Sequence, residues 1–280
     1  VSSSARPVTR LDKTDVLDGL FGEWGVLDGL VEGLSDEQWH AQTPLPGWTV
    51  RDVLAHVIGT EAMLHGATAP DADTDVSSPA HVRNDIGALN ELWVRQLSTV
   101  GTAELLEKFR EVTAARRNEL EQVSDTDWEA VTATPVGPDS YGRFMRVRIF
   151  DCWMHEHDIR DALRRPAQNP AGVPARLALD ELLSSMGFVV GKLGGAPDGS
   201  RVRIELTGPL QRTVNVAVDG RGRLVQSFDT EPTVTITLDG LLFTRLAGGR
   251  TTPDRHAAEV SYRGEEAVGR RIVDHLNFVI

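Results

Sequence analysis

PLPGWTVRDVLAHVIGTEAMLHG, Pro44 to Gly66, begins as a turn and continues as a helix. Two prolines and a glycine form the turn. Thr49 then stands where a helix N-cap stands, and Asp52, three residues on, sits near the positive end of the helix dipole. Val50, Val53, Leu54, Val57, Ile58 and Met63 follow at three- and four-residue spacing, the buried stripe of a helix packed among others. His56 lies inside this apolar run. A lone histidine in such a place is commonly a hydrogen-bonded core residue, so the stretch alone leaves core and ligand roles both open.

Helical periodicity extends outward on both sides. Leu11, Val16, Leu20, Trp24, Leu27, Leu30, Val31 and Leu34 form a stripe that predicts a helix from Val8 to about Leu34, and Ser35 caps a short turn, SDEQW. Residues 67–80 are small and polar and read as a loop, one that would lie over a site held by the helices. Patterns from Val82 to Val100, Ala103 to Val123 and Phe144 to Arg164 complete a bundle. Beyond Pro170 the character changes. A helix is expected near Pro174 to Leu193, followed by VRIEL, TVNVAV, RLVQSF and TVTITL, which alternate apolar with polar residues and read as antiparallel strands. Leu241–Leu246 and Glu265–Phe278 are helical again. The expected fold class is α+β: a four-helix bundle over residues 1–168, then a smaller α+β domain with an antiparallel sheet over residues 169–280.

The chain of 280 residues has 40% hydrophobic and 25% charged residues and a net charge of -12, which repels nucleic acid and anionic lipid. No apolar run approaches membrane-spanning length, and VSSSARPVTR lacks the apolar core of a signal peptide, so the expectation is a soluble, cytoplasmic protein. The single cysteine, Cys152, excludes an internal disulfide. Any zinc site must rest on histidine and carboxylate ligands, and any other reactive thiol must arrive as a small molecule.

The second informative stretch is FDCWMHEHDIRDAL, Phe150 to Leu163. The zinc-protease pattern H-E-x-x-H is absent, because Ile159 stands four residues after His155. On a helix, Asp151 and His155 lie ~40° apart and Asp158 ~20° to the other side of Asp151, so the three share a face. His157 and Glu156 point elsewhere, and Cys152 lies ~100° from Asp151, a position for buried filling. The Glu156–Arg160 spacing suits a surface ion pair. Two ligands from one helix seldom suffice for zinc. His56, from the other helix, would complete a three-ligand site with an open position, whereas His40, His65, His81, His256 and His275 lie near element ends or in exposed contexts. Spacing alone leaves a helical hydrogen-bond pair as the competing account of Asp151 and His155.

The run LPGWTVRDVLAHVIGTE (Leu45–Glu61) together with WMHEHDIRDAL (Trp153–Leu163) resembles the metal-binding N-terminal domain of the mycothiol-dependent maleylpyruvate isomerase family, a branch of the DinB-like helix bundles. The remainder resembles the sterol-carrier-like C-terminal domain that accompanies it. The resemblance implies that His56, Asp151 and His155 are metal ligands, with zinc or another divalent metal bound and mycothiol as thiol cosubstrate. Asp151 stands where the family has glutamate, one methylene longer. The resemblance also implies an arginine of the C-terminal domain near the active site; LAGGR offers Arg250, with Arg245 as rival, to clamp a substrate carboxylate. Asp158 would orient a ligand or water.

The implied activity is cis-trans isomerisation of a maleylpyruvate-like unsaturated diacid through addition and elimination of the thiolate, or thiol transfer to an electrophile. The expected partners are therefore a small-molecule thiol and a small electrophilic or unsaturated acid. Two alternatives stand beside it: a non-catalytic small-molecule-binding protein with a vestigial metal site, and a non-haem iron oxygenase, whose facial triad also uses two histidines and a carboxylate.

Overall fold

The structure, a computed structural model, describes residues 7–71, 84–167 and 169–279. His81 and most of the expected loop 67–80 lie outside the described residues. The chain forms two compact units, Val1–Gln168 and Asn169–Ile280.

The first unit contains α1 (Lys13–Val31), α2 (Asp36–Trp39), α3 (Val50–Leu64), α4 (Asp85–Leu97), α5 (Thr102–Gln122), α6 (Asp125–Glu129), β1 (Val131–Thr132), β2 (Asp139–Ser140) and α7 (Tyr141–Leu163). The α1 helix packs on α7 and α5, and α3 packs on α5, α7 and α4, so α1, α7, α3 and α5 form a four-helix ring with α4 outside α3. Leu20, Leu27, Val50, Val53, Leu54, Val57, Leu105, Phe109, Leu120, Met145, Ile149 and Ile159 fill its core. The first helix starts at Lys13 rather than Val8, because the residues ahead of it are engaged elsewhere. Asp12 caps it by accepting from Asp15 N, while Thr9 donates its N–H to Asp139 Oδ1 at 2.7 Å and its hydroxyl to Oδ2 at 2.9 Å. Ser35 and Gln38 form a reciprocal capping box on α2. At the start of α3, Asp52 accepts from both the N–H and the hydroxyl of Thr49. The buried side of α3 differs from the expected stripe at one place: Met63 is only half-buried, whereas the charged Glu61 is fully buried. Before α7, β1 and β2 pair antiparallel, and Ser140 ends the pair by accepting from Arg143 N, which starts the helix three residues ahead of Phe144.

The second unit has α8 (Val173–Leu183), α9 (Met186–Phe188), a π-helical turn (Val189–Leu193), β3 (Arg201–Thr207), β4 (Arg212–Asp219), β5 (Arg221–Val225), β6 (Val234–Asp239), α10 (Gly240–Ala247), β7 (Ser261–Gly264) and α11 (Glu266–Asp274). The sheet order is β5-β4-β3-β6-β7. Three of its pairings are antiparallel, but β3 and β6 run parallel, which corrects the expectation of a wholly antiparallel sheet. Alternation assigns residues to faces and carries no information on strand direction. Val202, Ile204, Leu206, Val214, Val216, Val218, Val234, Ile236 and Leu238 make the buried face. The edge strand β7 was not expected. The single helix expected over Pro174–Leu193 is instead broken after Leu183, and its second part packs on β5. Gly191 there meets Gly222 of β5 so closely that an added Cβ would lie 2.6 Å from the Gly222 nitrogen.

Candidate metal centre

The centre of the bundle is built from α3 and α7. His56 points from α3 towards Asp151 of α7, with Nε2 3.2 Å from Oδ2, and His155, one turn on, places Nε2 3.6 Å from Asp151 Oδ1. One ligand atom from each of these residues lies within 4.8 Å of the others. Among the described residues this is the cluster of histidine, cysteine and carboxylate groups that can hold a metal ion. Four-coordinate zinc with bonds of ~2.0–2.1 Å requires ligand atoms ~3.3 Å apart. The two histidine–Asp151 separations of 3.2 and 3.6 Å suit such an ion, the 4.8 Å spread of the whole cluster requires the ligands to draw together on binding, and the donor set, two imidazoles and one carboxylate, is that of open catalytic zinc sites.

The surroundings prepare two of the three groups. His155 Nδ1 lies 3.1 Å from Asp158 Oδ2, which fixes the tautomer that leaves Nε2 with a free lone pair. His56 has no such support: its Nδ1 is buried without a hydrogen-bond partner. Trp48, in the loop ahead of α3, stands over both imidazoles, with centroid distances of 5.3 Å to His56 and 6.1 Å to His155. Its Nε1 donates to Glu91 Oε2 on α4, so this apolar wall is itself anchored. The imidazole side chains are 4% and 8% exposed and that of Asp151 29%, so access to the cluster runs past the carboxylate.

The electrostatics separate the two histidines. Burial pushes the His56 pKa below its ordinary value despite the pull of Asp151. Burial acts the same way on His155, but there Asp151 and Asp158 together outweigh it and the pKa is raised. Asp151 is also opposed by burial, yet Arg148 and the two histidines hold its carboxyl well below the usual carboxylate range. It is therefore ionised at neutral pH, as a ligand must be.

Arg148 and Glu61 were not singled out from the sequence. Arg148 Nη1 donates to Asp151 Oδ2 at 2.7 Å, and its Nε donates to Glu61 Oε1 at 2.9 Å. Glu61 Oε2 in turn accepts from Arg116 Nε at 3.2 Å, and Glu61 and Arg116 are both fully buried. The available signal was a glutamate inside an apolar helix stripe and an arginine one turn before Asp151. Neither identifies its partner across the bundle.

Cys152 is a buried free thiol 3.7 Å from Arg148 Nη2, and burial pushes its pKa well up, so it is inert filling. Glu156 and Arg160 do pair, at 2.5 Å, but their side chains are only 9% and 14% exposed, so the expected surface ion pair is buried. The reason is that α1 covers the side of α7 opposite the cluster, where Glu156 meets the buried Glu23. His65 pairs with Glu119 in a half-exposed position. Arg250 belongs to the second unit, just past α10, where its Nη1 donates to Gly248 O at 2.7 Å.

Comparison with known proteins agrees with this architecture. Residues 20–160 match the mycothiol maleylpyruvate isomerase N-terminal domain, and residues 176–271 match the C-terminal domain of the same enzymes. An uncharacterized protein of Mycobacterium tuberculosis, in strains CDC 1551 / Oshkosh and H37Rv, is 29% identical over 185 residues, covering 65% of this chain and 69% of the relative. The crystal structure of the mycothiol-dependent maleylpyruvate isomerase shares the fold, with a TM-score of 0.58 and 16% identity over 90% of this chain and 93% of that one. A histidine-to-alanine mutant of that enzyme matches with a TM-score of 0.57 and 15% identity over the same shares. With both domain models matched in order along the sequence, the chain belongs to the mycothiol maleylpyruvate isomerase family.

Proposed function

We propose that the protein is a metal-dependent enzyme that uses a low-molecular-weight thiol, mycothiol, to isomerise a maleylpyruvate-like unsaturated diacid or to transfer the thiol to an electrophile. The observation that carries this reading is the convergence of His56, Asp151 and His155 within a bundle of this family. A divalent ion such as zinc, when bound by these three, would supply a centre that lowers the pKa of an added thiol enough to deliver it as thiolate near neutral pH.

The chain's own residues supply the rest. His56 and His155 offer neutral nitrogens, Asp158 holds the His155 tautomer, and Asp151 contributes the single negative charge among the ligands. Trp48 keeps water from the imidazole side, while the exposed edge of Asp151 leaves the approach for thiol and substrate. In isomerisation, the thiolate sulfur would form a bond to one alkene carbon, and the electron pair would move to the adjacent conjugated carbonyl. The former double bond then rotates as a single bond. Return of the electron pair expels the thiolate and restores the alkene in trans form, with no net oxidation or loss of thiol. Arg250 is proposed to clamp a substrate carboxylate.

The second reading, a non-catalytic binding protein with a vestigial metal site, draws on one observation: Asp151 is already neutralised by Arg148. The two readings separate in one assay. Zinc-loaded protein is mixed with mycothiol and either unsaturated diacids or electrophiles, beside His56→Ala. Thiol-dependent turnover in the native protein, absent from the variant, supports the enzyme. Binding of the acids without turnover under any thiol condition would leave the binder.

A further inference from the structure

Asp151 is one methylene shorter than the glutamate that the family resemblance calls for, and its two oxygens are not equivalent. Oδ2 receives Arg148 Nη1 at 2.7 Å, the shortest contact in the cluster, and lies 3.2 Å from His56 Nε2, whereas Oδ1 has the His155 nitrogen at 3.6 Å. Arg148 is not a loose surface side chain. It is 4% exposed, its Nε is tied to Glu61, and Glu61 is tied to Arg116 on α5. The carboxylate that would hold the ion is thus braced through α3 and α5 as well as by its own helix.

A planar guanidinium held on one edge by Glu61 presents its remaining N–H groups in a fixed direction. We infer that Arg148, held by Glu61, is a positioning residue that fixes the orientation of the Asp151 carboxylate towards a cation between His56 and His155. This rests on the metal-site reading above and adds to it the residue that holds the carboxylate in place. It also gives the short aspartate side chain a fixed orientation that its own rotamer freedom would not provide. Glu61 and Asp151 are balanced by Arg116 and Arg148, so the cluster is prepared before an ion arrives.

The test measures zinc affinity by competition with a chromophoric chelator in the native protein, Arg148→Met, Arg148→Lys and Glu61→Gln, alongside the visible spectrum of each cobalt(II) form. Loss of a partner that orients a ligand typically weakens metal binding by about 10–100-fold, and this is expected for Arg148→Met. Arg148→Lys keeps the charge without the fork and is expected to recover only part of the loss; Glu61→Gln, which loosens the fork, shifts affinity in the same direction. The cobalt spectrum is expected to change in Arg148→Met as Asp151 loses its fixed orientation towards the ion. A purely structural role would lower the unfolding midpoint and leave the affinity and spectrum of the folded fraction unchanged. Unchanged or tighter zinc binding in folded Arg148→Met or Arg148→Lys would overturn the proposal, the latter showing Arg148 to be a competing counter-charge. If the native protein binds neither zinc nor cobalt, the metal-site reading itself fails, which is a separate outcome from equal binding by native and variant proteins.

Discussion

The imidazole rings of His56 and His155 meet edge to face, at 71° and with centroids 4.8 Å apart, although they come from different helices 99 residues apart in the chain. Two buried imidazoles converging on one carboxylate is a costly arrangement for a core that only needs filling. Burial lowers the pKa of one ring and the neighbouring carboxylates raise that of the other, so the pair is poised with different proton demands.

Asp139 provides a prediction about acid stability. It is 2% exposed, accepts from Arg143 Nη1 at 2.7 Å and from Thr9 and Ser140, and these contacts overcome burial to hold its carboxyl well below the usual range. Because the folded pKa is depressed, the stabilisation is complete above the unfolded value of about 4 and is lost as pH falls below it. Asp139→Asn removes the carboxylate charge that accepts from Arg143, Thr9 and Ser140 and is expected to cost about 2 kcal/mol at pH 7. Unfolding midpoints measured from pH 2 to 7 should show the gap between the two proteins constant above about pH 5 and narrowing below about pH 4. A gap independent of pH would reject this account.

Glu23 predicts the opposite slope. Its carboxyl is 1% exposed, Oε1 has no hydrogen-bond partner, and burial together with Glu156 raises its pKa well above the ordinary value. The folded state therefore binds a proton that the unfolded state releases, so this group's contribution declines as pH rises from the unfolded pKa towards the folded one. Glu23→Gln should be the more stable protein at pH 8, with its advantage shrinking towards pH 4. Equal pH dependence of the two midpoints would show that Glu23 is ionised in the fold.

Gly59 tests the packing that holds α3 in place. A Cβ there would collide with the Trp93 ring, with Cδ2 only 2.8 Å away. Gly59→Ala gains ~1 kcal/mol of helix propensity. Forcing α4 away from α3 costs more, and a net loss of about 1–2 kcal/mol is expected in urea unfolding. A stabilised variant would mean that α4 yields at little cost.

The sequence made the helical stripes and the alternating strands legible because burial repeats at the period of each element. The ligand cluster was legible in part: spacing put Asp151, His155 and Asp158 on one face, and the apolar run around His56 marked it as unusual. Glu61 and Arg148 were not legible. Their pairing spans 87 residues, and a charge inside a stripe announces a partner without naming it. The same limit hid the parallel pairing of β3 with β6 and the burial of Glu156, since each depends on what lies across from the element and not on its own pattern. The close packing of Gly191 on Gly222 of β5 is likewise invisible in the helix's own periodicity, which runs on across the break after Leu183.

The most direct measurement is the metal content of protein purified without chelator or affinity metal, set beside His56→Ala, Asp151→Ala and His155→Ala. The three-ligand reading predicts about one zinc or comparable divalent ion per chain in the native protein, lost in all three variants while they remain folded. A native protein that holds no metal, even after zinc is supplied and the excess removed, would contradict it.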